Sequence, residues 1–256
     1  MSISVITRAY RSSELKDLVN HLFLRKETDI EVVAVSRIKD SNLDANVNFV
    51  AEDSNRFEAK ITGVKNASYE NVLFLDGDQI PEEGLLLELD NINSDMVIIP
   101  ERSKKSSFTA KCLDDWRFRN ERMALKKPNP YIPVVPRFFK RSYLIDVVNS
   151  LNKELLRIVS HEDSILYYEV YKRTKNIAFS RKYIYNDDPP LLPLLKKAFH
   201  YGRNHKEITS SGIPTEILDL INRLNMNTFN FKELGIGKGY LIQVLRGIAF
   251  ELGTSL

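Results

Sequence analysis

The sequence predicts an α/β protein: a mostly parallel β-sheet flanked by helices, with a short helical tail at the carboxyl end. Three observations predict it. Short runs that are apolar along their length, such as NVLFL at 71–75, alternate with segments whose apolar residues recur at helical spacing. The chain has 256 residues, 43% hydrophobic and 28% charged, which suits one large domain with a core of its own. Beyond residues 210–214, read as a linker, only helical periodicity remains.

The elements follow in order. SISVI at 2–6 reads as a buried strand. Ser12 or Ser13 can cap the next helix, whose apolar positions are Leu15, Leu18, Val19, Leu22 and Phe23. IEVVAV at 30–35 and the stretch 47–50 are the second and third strands, and Phe57, Ile61 and Val64 line one face of a second helix. The strand at 71–75 runs directly into Asp76-Gly77-Asp78. Pro81 suits the first position of a helix reaching Leu89, because its missing N–H needs no partner there. MVII at 96–99 is the fifth strand. The pattern loosens over 101–127, where charge is dense around Trp116; residues 131–139 look extended, with prolines that oppose a helix. A helix over 162–173, a last strand at 176–179 and helices over 191–203, 215–224 and 238–252 complete the chain.

Composition narrows the function classes. A lone cysteine, Cys112, excludes an internal disulfide and a cysteine-rich zinc site, and it reads as an inert core thiol. The net charge of +3 suits a phosphorylated ligand or an anionic membrane surface and is too mild to argue for nucleic acid. No apolar run approaches the ~20 residues that span a bilayer. The amino terminus reads straight into a strand rather than a targeting signal, so the expected location is cytoplasmic, with peripheral contact on the inner membrane face.

The chemistry gathers at Asp76-Gly77-Asp78. In open parallel sheets, ligands bind beyond the carboxyl ends of the strands, which is where these carboxylates fall. Two hard oxygen donors suit Mg²⁺ or Mn²⁺, with phosphate and water completing the shell, and such a cation can offset the charge of a departing diphosphate. Gly77 lets a ligand approach the backbone. Taken as a tripeptide alone, Asp-Gly-Asp is more often a turn; its place after the fourth strand favours the metal.

Several segments then resemble, in order, a family-2 glycosyltransferase of the GT-A fold. SVITRAYR at 4–11 is similar to the family's opening strand and nucleotide loop, and NRFEAKITGVKNA at 55–67 to its helix before the acidic motif. VLFLDGDQ at 72–79 resembles its metal motif, and PRFFKRSYL at 136–144 the strand and turn preceding its acceptor-side helix. HED at 161–163 resembles the Glu-Asp pair at a helix start, and HYGR at 200–203 a late motif. The resemblance implies a GT-A-like, Rossmann-like catalytic domain over residues 1–205 and a helical extension over 206–256. It implies transfer of a sugar from a nucleoside diphosphate donor to a hydroxyl or phosphate acceptor, lipid-linked acceptors included, with inversion.

Carried over residue by residue, the resemblance has Ala9 and Tyr10 contact the nucleoside, and Asp76 approach the ribose or the metal. Asp78 would ligate the metal, Lys60 and Arg203 would lie near the diphosphate, and Asp163 would be the catalytic base. His200 would add a metal or phosphate contact. One position departs from the family: where an aspartate usually reads the base after the second strand, Ser36 stands here, followed by Arg37. A serine still hydrogen-bonds but brings no charge.

Each assignment has a structural alternative. Glu162 and Asp163 also suit a helix amino terminus electrostatically. Lys60 and Arg203 can be solvated helix cations, and His161 a hydrogen-bonded structural histidine. Trp116 and Phe118 can line an acceptor groove or a core. Leu241, Val244, Leu245, Ile248 and Leu252 share a helical face that would pack on the protein or lie in a membrane interface. Two other functions compete with the transferase. One is a catalytically silent sugar-nucleotide or membrane-binding module. The other, ranked low, is a nucleotidyltransferase, whose glycine-rich loop is missing from TRAYR at 7–11.

Overall fold

The computed structural model describes residues 2–8, 12–24, 28–37, 47–158, 160–210, 212–228 and 237–255. In chain order the elements begin β1 (Ser2–Arg8), α1 (Ser12–Leu24), β2 (Asp29–Ser36), β3 (Val47–Ala51), α2 (Arg56–Asn66) and β4 (Asn71–Phe74). Then come β5 (Ile80–Pro81), α3 (Leu85–Asn91), β6 (Met96–Ile98), β7 (Glu101–Ser103), α4 (Phe108–Lys126) and β8 (Pro136–Lys140). The chain closes with α5 (Arg141–Ser150), a 3₁₀ turn (Lys153–Arg157), α6 (Glu162–Arg173), β9 (Ile177–Phe179), β10 (Ile184–Asn186), α7 (Leu191–Ser210), α8 (Thr215–Thr228) and α9 (Lys238–Ser255).

The chain forms two compact units whose segments interleave. The first comprises Met1–Pro100, Pro136–Leu151 and Glu169–Asn186; the second comprises Glu101–Val135, Asn152–Tyr168 and Asp187–Leu256. Helix α7 runs unbroken through residue 205, and the expected linker at 210–214 begins only where that helix ends.

The first unit is built on a seven-stranded sheet in the order β3-β2-β1-β4-β8-β6-β9. Strands β3, β2, β1 and β4 are parallel neighbours, as are β6 and β9, while β8 runs antiparallel between β4 and β6. The expected mostly parallel sheet is therefore present. Val5, Val32, Leu73 and Phe138 are fully buried in its core, together with Leu15, Leu18 and Leu22 of α1. Helix α2 starts on a capping box: Asn55 accepts from the N–H of Phe57 and Glu58, and Glu58 accepts back from the N–H of Asn55.

Three local expectations are corrected here. Pro81 does not open a helix; it ends β5, paired antiparallel with β10, and α3 begins at Leu85 behind Gly84. Gly84 has φ +79, a left-handed conformation that stops a helix from starting at Pro81. Only residues 136–140 of the expected extended stretch form a strand, because the prolines before it remove ladder donors. Strand β10 has no counterpart in the sequence reading.

The second unit is mainly helical. Helix α4 covers most of the stretch where periodicity loosens, because ion pairs replace apolar side chains on its inner face. Arg117 makes a bidentate pair with Asp188 at 2.7 and 2.7 Å, and Arg102 a bidentate pair with Glu121 at 2.7 and 2.7 Å. Both carboxylates are buried. Helices α7 and α9 pack through glycines: a Cβ on Gly202 would overlap the Phe250 carbonyl, and one on Gly253 the Phe199 carbonyl. Only part of the apolar face expected on α9 packs, since Val244 and Leu245 are half-buried. The buried residues there are Gly239, Ile242, Gln243 and Gly253, whereas Leu241, Ile248 and Leu252 are 49%, 55% and 57% exposed.

Candidate functional site

The first unit presents Thr7, Ser36 and Asp76 along one edge of its sheet. The parallel register aligns Thr7 with Ala34, and the N–H of Leu75 donates to the carbonyl of Ile6 at 3.1 Å. The ends of β1, β2 and β4 thus share one level, and Asp76-Gly77-Asp78 leaves the sheet from its interior rather than from an edge strand. This is the crevice position where open α/β sheets bind ligands.

The acidic turn is held rigidly. The Gln79 side-chain carbonyl accepts from the N–H of Asp76 at 2.9 Å, and the N–H of Gln79 donates to the Asp76 carbonyl at 2.9 Å. The Gln79 amide then donates to Asn186 at 2.7 Å, tying the turn to β10. Gln79 is 2% exposed, so this clamp is a core feature. Asp76 is half-buried and Asp78 exposed.

A cation stands beside them. The Arg137 guanidinium, from β8, lies 4.0 Å from the Asp76 carboxylate. Arg137 is buried and the sequence reading did not single it out, because the antiparallel insertion of β8 beside β4 is invisible in local pattern. Lys60 is also buried, with Nζ 5.7 Å from the Phe74 ring, so it is not a solvated helix cation. Thr7 Oγ1, near the end of β1, and Ser54 Oγ, in the loop after β3, are buried hydroxyls with no hydrogen-bond partner among the described residues. They are further missed candidates: a lone hydroxyl carries no sequence signal.

Ser36 is buried at the end of β2, and its carbonyl accepts from the Glu52 N–H at 3.1 Å. Arg37, next to it, is exposed and pairs with Asp53. Ala9 and Tyr10 lie outside the described residues.

The donor set suits a hard divalent cation. Asp76 and Asp78 offer carboxylate oxygens, and among the described residues no group of three or more His, Cys, Asp or Glu side chains forms a closed cage. A carboxylate pair of this kind would leave positions for phosphate and water around a cation such as Mg²⁺ or Mn²⁺.

No protein-family model matches the chain, and no curated protein matches it in sequence. Solved structures do match. The chain superposes on Staphylococcus aureus TarS residues 1–349 with TM-score 0.56 and 18% identity, covering 99% of this chain and 81% of that one. TarS has also been solved with UDP and with UDP-GlcNAc. It superposes on the mannosyltransferase PcManGT of Pyrobaculum calidifontis, solved with GDP-Man and Mn²⁺, with TM-score 0.63 and 15% identity, covering 99% of this chain and 86% of that one. The chain has the GT-A-like fold of these proteins.

The remaining sequence candidates lie in the second unit. Asp163 is half-buried in the first turn of α6, beside buried Glu162. His161 precedes them at φ +67, left-handed and unusual outside glycine, and its carbonyl accepts from the Ile165 N–H at 2.9 Å. Desolvation, with His205 and Arg246 as neighbouring positive groups, lowers the His161 pKa to about 4, so the ring is neutral at pH 7. His200 and Arg203 are exposed on α7, one turn apart.

Proposed function

We propose that this chain is a glycosyltransferase that moves a sugar from a nucleoside diphosphate donor to a hydroxyl or phosphate acceptor, with inversion at the anomeric carbon. The observation that carries the reading is the clamped Asp76-Gly77-Asp78 turn at the carboxyl end of an interior strand. The likeness to proteins solved with UDP-GlcNAc or with GDP-Man and Mn²⁺ supports it.

Asp76 and Asp78 would hold Mg²⁺ or Mn²⁺, which supplies positive charge to the diphosphate as it leaves. In this reading Ala9, Tyr10 and Ser36 meet the nucleoside, and Lys60 and Arg203 the diphosphate. His200 adds a metal or phosphate contact. Asp163 takes the proton of an acceptor hydroxyl, a poor nucleophile until it loses that proton; a phosphate acceptor is already ionised, and Asp163 then orients it. Residues 1–205 carry the reaction and 206–256 extend it. Exposed Leu241, Ile248 and Leu252, with exposed Lys238 at the start of the same helix, support peripheral contact with a membrane surface and an acceptor held there. No described helix is long and apolar enough to cross a membrane.

A thermal-shift screen of nucleoside diphosphate sugars with Mg²⁺ or Mn²⁺ tests this reading. A ligand that binds only the folded chain raises its melting temperature. A shift that needs both the metal and one class of base is expected; no shift with any donor contradicts the reading.

A further inference from the structure

The second unit holds a half-open cavity of about 240 Å³ that the donor reading does not use. Trp116 of α4, His161 before α6, Tyr201 of α7, Asn225 of α8, and Gln243 and Arg246 of α9 supply its polar lining. At about 30 Å³ per water it holds the volume of roughly eight waters. That lies just below the ~300 Å³ at which drug-sized pockets begin, so the occupant is compact.

The chemistry of the lining is one-sided. Among the described residues no carboxylate lines the cavity. Arg246 stacks over the Trp116 ring at 5.8 Å and donates to the Gln243 side-chain carbonyl at 3.3 Å. Among the described residues it meets no carboxylate; Asp188, which attracts it electrostatically, is taken up by the two 2.7 Å bonds from Arg117. Gln243 is 2% exposed, yet among the described residues its side-chain amide nitrogen has no acceptor, and neither has the Trp116 indole N–H. A buried donor without an acceptor costs about 1–3 kcal/mol. Two such donors beside a half-buried guanidinium call for a group with spare lone pairs among them. Water relieves the donors but leaves the cation without a counter-charge. His161 is neutral at pH 7 and supplies no counter-charge either.

We propose that this cavity binds a phosphate-sized oxyanion, either free phosphate or the phosphoryl group of a small phosphorylated sugar. The oxyanion accepts from Arg246, from the Gln243 amide and from the Trp116 indole. Arginine suits this because its planar fork donates to two oxygens at once. The aromatic faces of Trp116, Tyr201 and Phe250, also in the lining, leave an apolar wall beside the anion, suited to a sugar ring. All of these residues belong to the second unit, so the inference does not depend on the acidic turn or on the glycosyl-transfer reading.

The test is thermal unfolding and calorimetry of the full chain with inorganic phosphate at matched ionic strength, without donor or divalent metal. Saturable binding and a rise in melting temperature are expected, with chloride inert. Gln243→Glu is nearly isosteric and gives Arg246 an internal counter-charge, so phosphate binding should fall at least tenfold while the folded chain gains stability. Trp116→Phe keeps an aromatic face under Arg246 but removes the N–H together with the five-membered ring, and should weaken binding about three- to tenfold. A hexose 6-phosphate distinguishes the source: tighter binding than phosphate assigns a phosphorylated sugar, and equal binding the free anion. In both cases the Gln243→Glu effect is required. Phosphate binding that Gln243→Glu leaves unchanged, or no binding at all, overturns the proposal.

Discussion

The Arg137 guanidinium lies 4.0 Å from the Asp76 carboxylate, so a buried cation already occupies part of the field that a metal would share. In the protein alone Arg137 offsets one of two neighbouring negative charges. With a divalent ion bound, it repels that ion and attracts the diphosphate on it. The arrangement favours a metal that arrives with its nucleotide over a metal held alone.

Arg137→Met separates these roles. The variant should bind Mn²⁺ alone about fivefold more tightly, on the order of 1 kcal/mol, because a nearby positive charge is gone. It should also lose about 1–2 kcal/mol of stability, since a half-buried carboxylate loses its partner. Electron paramagnetic resonance of free Mn²⁺ and a urea melt measure the two effects. Unchanged or weaker Mn²⁺ binding would show that Arg137 does not act on the acidic turn electrostatically.

Asp163→Asn should leave donor affinity within about twofold and reduce transfer to a hydroxyl acceptor by roughly 10²–10⁴-fold, the usual contribution of a positioned general base. Radiolabelled transfer beside donor calorimetry reads both quantities. Full activity would remove Asp163 as the base. Donor binding without transfer in the wild type, across a broad acceptor panel, would match a catalytically silent module instead.

Gly253→Ala tests the close contact of α7 and α9. The added methyl would meet the Phe199 carbonyl, which is backbone and yields only if the helices separate. A loss of about 1–3 kcal/mol is expected, or roughly 3–10 °C in melting temperature for a chain of this size. A neutral Gly253→Ala would show that the helices do not approach through their glycines.

Much of the first unit was legible and much of the second was not, for one physical reason. Strands β1, β2 and β4 are buried on both faces, so they read as continuous apolar runs, and α2 announces its start with Asn55 and Glu58. The Asp76-Gly77-Asp78 turn stood out because it follows such a run. Helix α4 hid because Glu121 and Arg117 face inward as ion pairs, which erases the apolar period. Helix α9 was only partly legible because its buried positions are Gly239, Ile242, Gln243 and Gly253, leaving Leu241 and Leu252 exposed. Arg137 and Gln79 act through neighbours 61 and 107 residues away in sequence, which local spacing does not encode.

His161 gives the chain an acid sensitivity. Its folded pKa of about 4 lies below the ordinary value of 6.5, so the unfolded chain binds more protons between those pH values. Stability therefore rises with pH through that window and is lost as pH falls from 6.5 toward 4, by up to about 3 kcal/mol. His205 and Arg246 are the positive groups that reinforce the shift. His161→Asn removes the titration and suits the left-handed backbone, so its stability should depend less on pH over 4–6.5. Thermal melts across that range check this; equal slopes for both proteins would exclude His161 as the source.

The most direct test of the central claim is calorimetric titration of the cognate nucleoside diphosphate sugar into wild type and Asp78→Ala, each with and without Mn²⁺. The account predicts that Mn²⁺ tightens donor binding to the wild type at least tenfold and leaves binding to Asp78→Ala unaffected. Equal enhancement by Mn²⁺ in both proteins would contradict it.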